Sequence, residues 1–156
     1  MALDGDGCTL CENAEKDLSR FEQVLNCSLM VHEHRPVDQI CEKLLTQLPH
    51  YSRPVILQHF PLYRPDDSAC QEKDKPLGAA VEKYRERWEV LSKSMTERLL
   101  KLNPRAVFDG HAHSSCLYVH KTKQSTTHEW TLQSFSWRNT NAPTFILVSL
   151  RPWRIR

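Results

Sequence analysis

A chain of 156 residues is long enough for one domain, which in compact form buries roughly 70% of the surface its unfolded form exposes. With 40% hydrophobic residues and four glycines, the composition excludes a fibrous or disordered chain. The 21 basic and 19 acidic residues leave a formal charge of +2 spread along the sequence, which excludes an extended nucleic-acid footprint.

The opening Asp4-Gly5-Asp6-Gly7 reads as a turn inside a domain, and no basic-then-apolar leader precedes it. Cys8-x-x-Cys11 lacks the second half of a zinc motif, which leaves a disulfide or plain thiols. Apolar residues at Ala14, Leu18, Phe21 and Leu25 predict an amphipathic helix over Glu12 to Leu25. Asn26-Cys27-Ser28 is an N-glycosylation sequon, and with six cysteines it points to an oxidising, lumenal compartment. Six cysteines allow 15 pairings, among which sequence does not choose.

A second helix is expected over Val37 to Leu48, ended by Pro49. Val55-Ile56-Leu57 reads as a buried strand that ends near His59. The segment Pro61 to Pro76, with Asp66, Asp67 and Cys70, reads as a surface loop lying over a site.

From Ala79 to Leu102 the spacing of Trp88, Leu91, Met95, Leu99 and Leu102 predicts one long helix with Trp88 in the core, stopped by Asn103-Pro104. Strands follow at Ala106 to Phe108, Leu117 to Val119, Glu129 to Leu132 and Thr144 to Val148, with Asp109-Gly110 as a turn. The longest apolar run, Phe145 to Leu150, falls far short of the ~20 residues that cross a bilayer. Residues 151–156, with Arg151, Arg154 and Arg156, form a solvated basic tail. The alternation implies an α/β fold whose ligands lie at the carboxyl ends of strands.

Three histidines stand just past predicted strands: His59, and the pair His111 and His113 in Gly110-His111-Ala112-His113. In an extended segment residues i and i+2 share a face ~6.6 Å apart. That spacing lets two imidazoles converge on metals separated by roughly 3.5 to 4 Å. Neutral imidazole suits Zn, Fe or Mn-like ions, and Gly110 allows a sharp exit from the strand. The competing reading of the pair is a hydrogen-bonded turn, and His59 is what favours the metal. His32, His34, His50, His120 and His128 are read as surface residues.

Gln58-His59-Phe60-Pro61-Leu62-Tyr63 and Gly110-His111-Ala112-His113-Ser114 resemble the last two metal motifs of calcineurin-like metallophosphoesterases. The opening through Cys8 and Cys11, and Ser134-Phe135-Ser136-Trp137-Arg138-Asn139 with Pro143-Thr144-Phe145, resemble its GPI-anchor-remodelling branch over residues 1–150. The resemblance implies the C-terminal part of a sandwich of mixed sheets flanked by helices. It further implies that His59 and His111 bind one metal and His113 the other, with Mn2+ expected and Zn2+ or Fe as alternatives.

The implied reaction removes ethanolamine phosphate from a mannose of the GPI glycan during ER-to-Golgi transport, on the lumenal face of ER exit sites, the intermediate compartment and the Golgi. Arg138 and Asn139 are candidates for holding the phosphate, with a surface salt bridge as the alternative for Arg138. Members of the branch are membrane-anchored.

The family also uses Asp-x-His, Gly-Asp-x-x-Asp and Gly-Asn-His motifs, and that series is not in these 156 residues. Two dications ~3.5 Å apart repel by on the order of 20 kcal/mol at an effective dielectric near 20. Three neutral imidazoles do not offset that, so this chain is expected to hold at most one weakly bound metal and to be inactive alone. The alternative expectation is a non-catalytic binding module. An incomplete domain should also leave an unpaired sheet edge and exposed apolar surface.

Overall fold

The computed structural model describes residues 11–71, 82–123, 125–138 and 143–150, with residues 11 and 12 described by backbone alone. Helix α1 (Cys11–His32) continues past the expected end at Leu25 and buries Val24, Leu25, Cys27 and Ser28. It closes where His34 takes a left-handed φ of 57° and the Arg35 amide reaches back to the Met30 carbonyl at 2.8 Å.

The Asp38 side chain caps α2 (Gln39–Leu44) by accepting from the Cys41 amide, and a disulfide from Cys41 to Cys27 fastens α2 to α1. Helix α3 spans Lys93–Lys101 and is capped by Ser92. Arg98 on α3 pairs with Glu15 and Glu22 and donates to Ser19, which ties α3 to α1.

Four strands form one sheet in the order β1-β2-β4-β3: β1 (Val55–Leu57), β2 (Ala106–Asp109), β3 (Cys116–Lys121) and β4 (Thr126–Thr131). β1 runs parallel to β2 and β2 to β4, while β3 is antiparallel to β4. The α/β class expected from sequence is therefore present as a mixed sheet with helices. Leu25, Leu62, Leu91, Met95, Leu99, Leu102 and Val107 form the core.

Helix α2 is shorter than the expected Val37 to Leu48, and three other expected elements differ in kind. The long helix from Ala79 does not form over residues 82–92. Arg87 there adopts a φ of 70°, Glu86 and Val90 pair as an isolated bridge, and Trp88 is 73% exposed rather than in the core.

Residues 61–71 are not a surface loop: Leu62, Arg64, Asp67 and Cys70 are buried against one sheet face, and Cys70 is disulfide-bonded to Cys116 on β3. Burial costs little here because the segment's polar groups meet partners on the sheet. Thr144 to Val148 pairs with no strand among the described residues, and Leu147 is 91% exposed. The basic tail, Asn139, the Asp4 to Gly7 turn and the Cys8-x-x-Cys11 pair lie outside what is described, apart from the backbone of Cys11.

Candidate metal centre

Backbone pairing carries β1 and β2 beyond their ends to the histidines. The Gln58 amide donates to the Phe108 carbonyl and the Gly110 amide to the His59 carbonyl, each at 3.0 Å. His59 and Gly110 are thereby held side by side at the carboxyl ends of two parallel strands, where α/β folds place ligands. A methyl group at Gly110 would stand 3.7 Å from the Leu132 carbonyl, an ordinary contact, so packing does not demand glycine there.

Beyond Gly110 the chain turns sharply, with the Ala112 amide donating to the Gly110 carbonyl at 2.7 Å. His111 and His113 both take left-handed conformations, with φ of 66° and 54°. Such conformations are uncommon for residues with side chains and concentrate at functional sites.

The result brings Nδ1 of His111 to 3.2 Å from Nε2 of His59, the two rings nearly perpendicular. Phe60 packs against both, with centroid distances of 5.0 Å to His59 and 4.2 Å to His111. His113 is exposed and lies near enough for its charge to act on His111. Partial burial, then the charges of His59 and His113, hold the His111 pKa below the usual imidazole value, which favours the neutral form a metal requires.

The donor set fits a divalent ion. Two imidazole nitrogens ~2.0 to 2.1 Å from one ion stand roughly 2.8 to 3.4 Å apart at octahedral to tetrahedral angles. The observed 3.2 Å lies in that interval and is also the distance of a direct hydrogen bond between neutral rings.

A second cluster, Asp67 with Cys70 and Cys116, has ligand atoms within 4.8 Å of one another. Its two sulfurs are bonded to each other, and Asp67 accepts from Arg64, Tyr84 and Ser114, so it offers a metal no thiolate and no idle carboxylate.

Beneath the histidines lies a buried polar network that sequence reading missed. Arg64 and Glu129 are fully buried, Asp67, His120 and Asp109 nearly so. Arg64 bonds Asp67 at 3.0 Å and approaches Glu129 at 3.6 Å, and Glu129 accepts from His120 Nε2 at 2.6 Å. His120 is thus an interior residue, not a surface one. Asp109 closes β2 instead of opening a turn.

Burial first, then the Glu129 charge, pushes the Asp109 carboxyl up to about 9. Of the two neighbouring acids Asp109 is the one left protonated, because Glu129 has an amide, a histidine and a guanidinium to stabilise its charge. A signal existed in the alternation of Thr127, Glu129 and Thr131, which puts three polar residues on one face of β4.

Arg138 is exposed and its amide donates to Ser136 Oγ at 3.3 Å. Asn26 is exposed near the middle of α1, while Ser28 of the same sequon is buried. Of the other histidines read as surface residues, His32, His34, His50 and His128 are exposed.

Comparison with known proteins finds relatives in sequence that share one name. The chain is 40% identical over 153 residues to a protein named metallophosphoesterase 1 homolog from Drosophila melanogaster, covering 97% of this chain and 38% of that protein. It is 41% identical over 154 residues to metallophosphoesterase 1 of Xenopus laevis, covering 96% of this chain and 36% of that one. The Gallus gallus protein of the same name is 38% identical over 154 residues, with 97% and 37% covered. The chain therefore spans a little over a third of the length of the curated relatives it matches. No protein-family model and no solved structure matches it.

Proposed function

We propose, starting from this kinship with metallophosphoesterase 1, that the chain supplies the histidine side of a metal centre for phosphodiester hydrolysis. The observation that carries the reading is the 3.2 Å approach of His59 Nε2 to His111 Nδ1 at the ends of parallel strands. The relatives' name implies divalent metal ions, and Mn2+ is the ion proposed here, with Zn2+ or Fe as alternatives. Such an ion would bind phosphoryl oxygens and acidify a water.

The chain's own residues have distinct tasks in this reading. His59 and His111 would ligate one ion through neutral nitrogens, and the exposed His113 would serve a second. Phe60 packs against both inner rings and limits their rotation. Arg138 and Asn139 are proposed to hold the phosphate of the substrate.

The substrate class proposed is an ethanolamine-phosphate diester on a GPI-glycan mannose, met in the lumen of the early secretory pathway, with no nucleic-acid partner. The disulfides Cys27–Cys41 and Cys70–Cys116 support an oxidising compartment. No helix among the described residues is long and apolar enough to cross a membrane. Exposed Leu57, Trp137 and Leu147 support a second reading, a non-catalytic module that binds a partner through exposed apolar side chains.

The test is hydrolysis of bis-p-nitrophenyl phosphate with Mn2+ by this chain and by one extended to the relatives' length. Turnover is expected only from the longer chain, and His59→Ala in it should abolish the activity. Undiminished turnover by that variant would overturn the proposal.

A further inference from the structure

The turn that carries His111 and His113 is tied at its far end as well as at its start. At the start, the Gly110 amide meets the His59 carbonyl at 3.0 Å. At the end, the buried hydroxyl of Ser114 donates to Oδ2 of Asp67 at 3.1 Å, across 47 positions of sequence. Two residues beyond Ser114, Cys116 is bonded to Cys70, which lies three residues beyond Asp67. The segment that leaves His59 and the segment that leaves His113 are therefore clamped together at two neighbouring points.

Asp67 is well fixed for this task. It is 2% exposed, and its Oδ1 accepts from Arg64 Nε at 3.0 Å. Paired with a guanidinium it is a charged acceptor, whose hydrogen bonds run roughly twice as strong as neutral ones. The Tyr84 hydroxyl shares Oδ2 at 2.8 Å, from a segment that carries no histidine.

His111 and His113, with φ of 66° and 54°, need such support, because left-handed residues with side chains persist only where their surroundings fix them. We infer that Asp67 is a positioning residue: through Ser114 its carboxylate holds the His111–His113 turn in place beside the segment after His59. The inference deepens the proposed function and rests on it for its purpose, while the clamp itself belongs to the metal-free chain.

The experiment compares two substitutions that each remove one hydroxyl from the same carboxylate oxygen. Ser114→Ala cuts the link to the histidine turn, whereas Tyr84→Phe leaves that link and keeps the ring that faces Arg64. The readouts are histidine ring proton–nitrogen spectra of the metal-free chain and Mn2+ titration. Ser114→Ala should shift the ring signals of His59 and His111, neither of them its neighbour in sequence, and weaken Mn2+ binding roughly 10-fold. Tyr84→Phe should leave both readouts as in wild type, even where it lowers the Tm. Asp67→Ala should match Ser114→Ala in Mn2+ affinity and add nothing to it in the double variant, as expected of a residue that acts through the other.

Ring signals and affinity unmoved by Ser114→Ala would overturn the inference, and so would a Tyr84→Phe loss as large as that of Ser114→Ala. Should Asp67→Ala fail to fold, the comparison of the two hydroxyl variants decides. Shifted ring signals in a chain that binds no Mn2+ would instead sink the metal centre while leaving the clamp standing.

Discussion

The backbone amide of Leu62 donates to Oε1 of Glu129 at 2.7 Å, which joins the segment leaving His59 to a carboxylate buried on β4. The other oxygen of Glu129 accepts from His120, and Arg64 stands 3.6 Å away. Glu129→Ala would leave that amide without an acceptor and take from Arg64 one of its two buried carboxylates, so it should cost about 3 to 5 kcal/mol of stability. Glu129→Gln keeps an acceptor for Leu62 and should cost less. Urea denaturation of the two variants checks the order, and equal losses would contradict it.

His120 makes stability depend on acid. Burial first, then the Arg64 guanidinium, pushes its pKa down to about 4, so at neutral pH it is an uncharged donor to Glu129. The unfolded chain takes up this proton near ~6.5 and the folded chain only near 4. Stability from this group is therefore complete above ~6.5 and is lost as the pH falls toward 4, by up to about 3 kcal/mol. His120→Gln should remove that dependence, and identical acid curves for variant and wild type would refute it.

Asp109 acts in the opposite sense. Its raised folded pKa means that its contribution is full below ~4, the unfolded carboxyl value, and declines as the pH rises through about 9. Neither carboxylate oxygen has a hydrogen-bond partner among the described residues. Asp109→Asn should therefore be more stable than wild type at pH ~8, with the gap closing toward pH ~4. Thermal melts at the two pH values would show a constant gap if the carboxyl were charged throughout.

The two disulfides close loops of different length, with sequence separations of 46 for Cys70–Cys116 and 14 for Cys27–Cys41. On loop entropy alone the longer is worth about 4 kcal/mol and the shorter about 3. Serine replacement of Cys70 and Cys116 should lower the Tm more than replacement of Cys27 and Cys41. It also frees the segment over the sheet, which pairs with β3 through the Gln71 amide on the Leu117 carbonyl at 2.8 Å. The reverse order of Tm losses would contradict this.

Sequence legibility followed local chemistry. The bounds of Val55–Leu57 were readable because prolines punctuate a short β-branched run, but the strand is half-buried and ends on an exposed Leu57, not buried as expected. The meeting of His59 and His111 was foreseeable from their placement after strands, since parallel pairing puts strand ends together.

Long-range polar partnership was not readable. Arg64, Asp67 and Glu129 look like surface residues in isolation, and only their mutual neutralisation between distant parts of the sequence allows burial. The helix expected around Trp88 failed for a related reason: its apolar period is correct from Leu91 onward, but Ser92 caps α3 and the preceding turn is held to the Pro61 carbonyl.

Isothermal titration of Mn2+ into the metal-free chain tests the central claim most directly. One weak site is predicted, and it should vanish in His59→Ala and in His111→Ala while both variants keep the wild-type melting behaviour. Binding unchanged by either substitution, or two tight sites in the wild-type chain, would contradict the account.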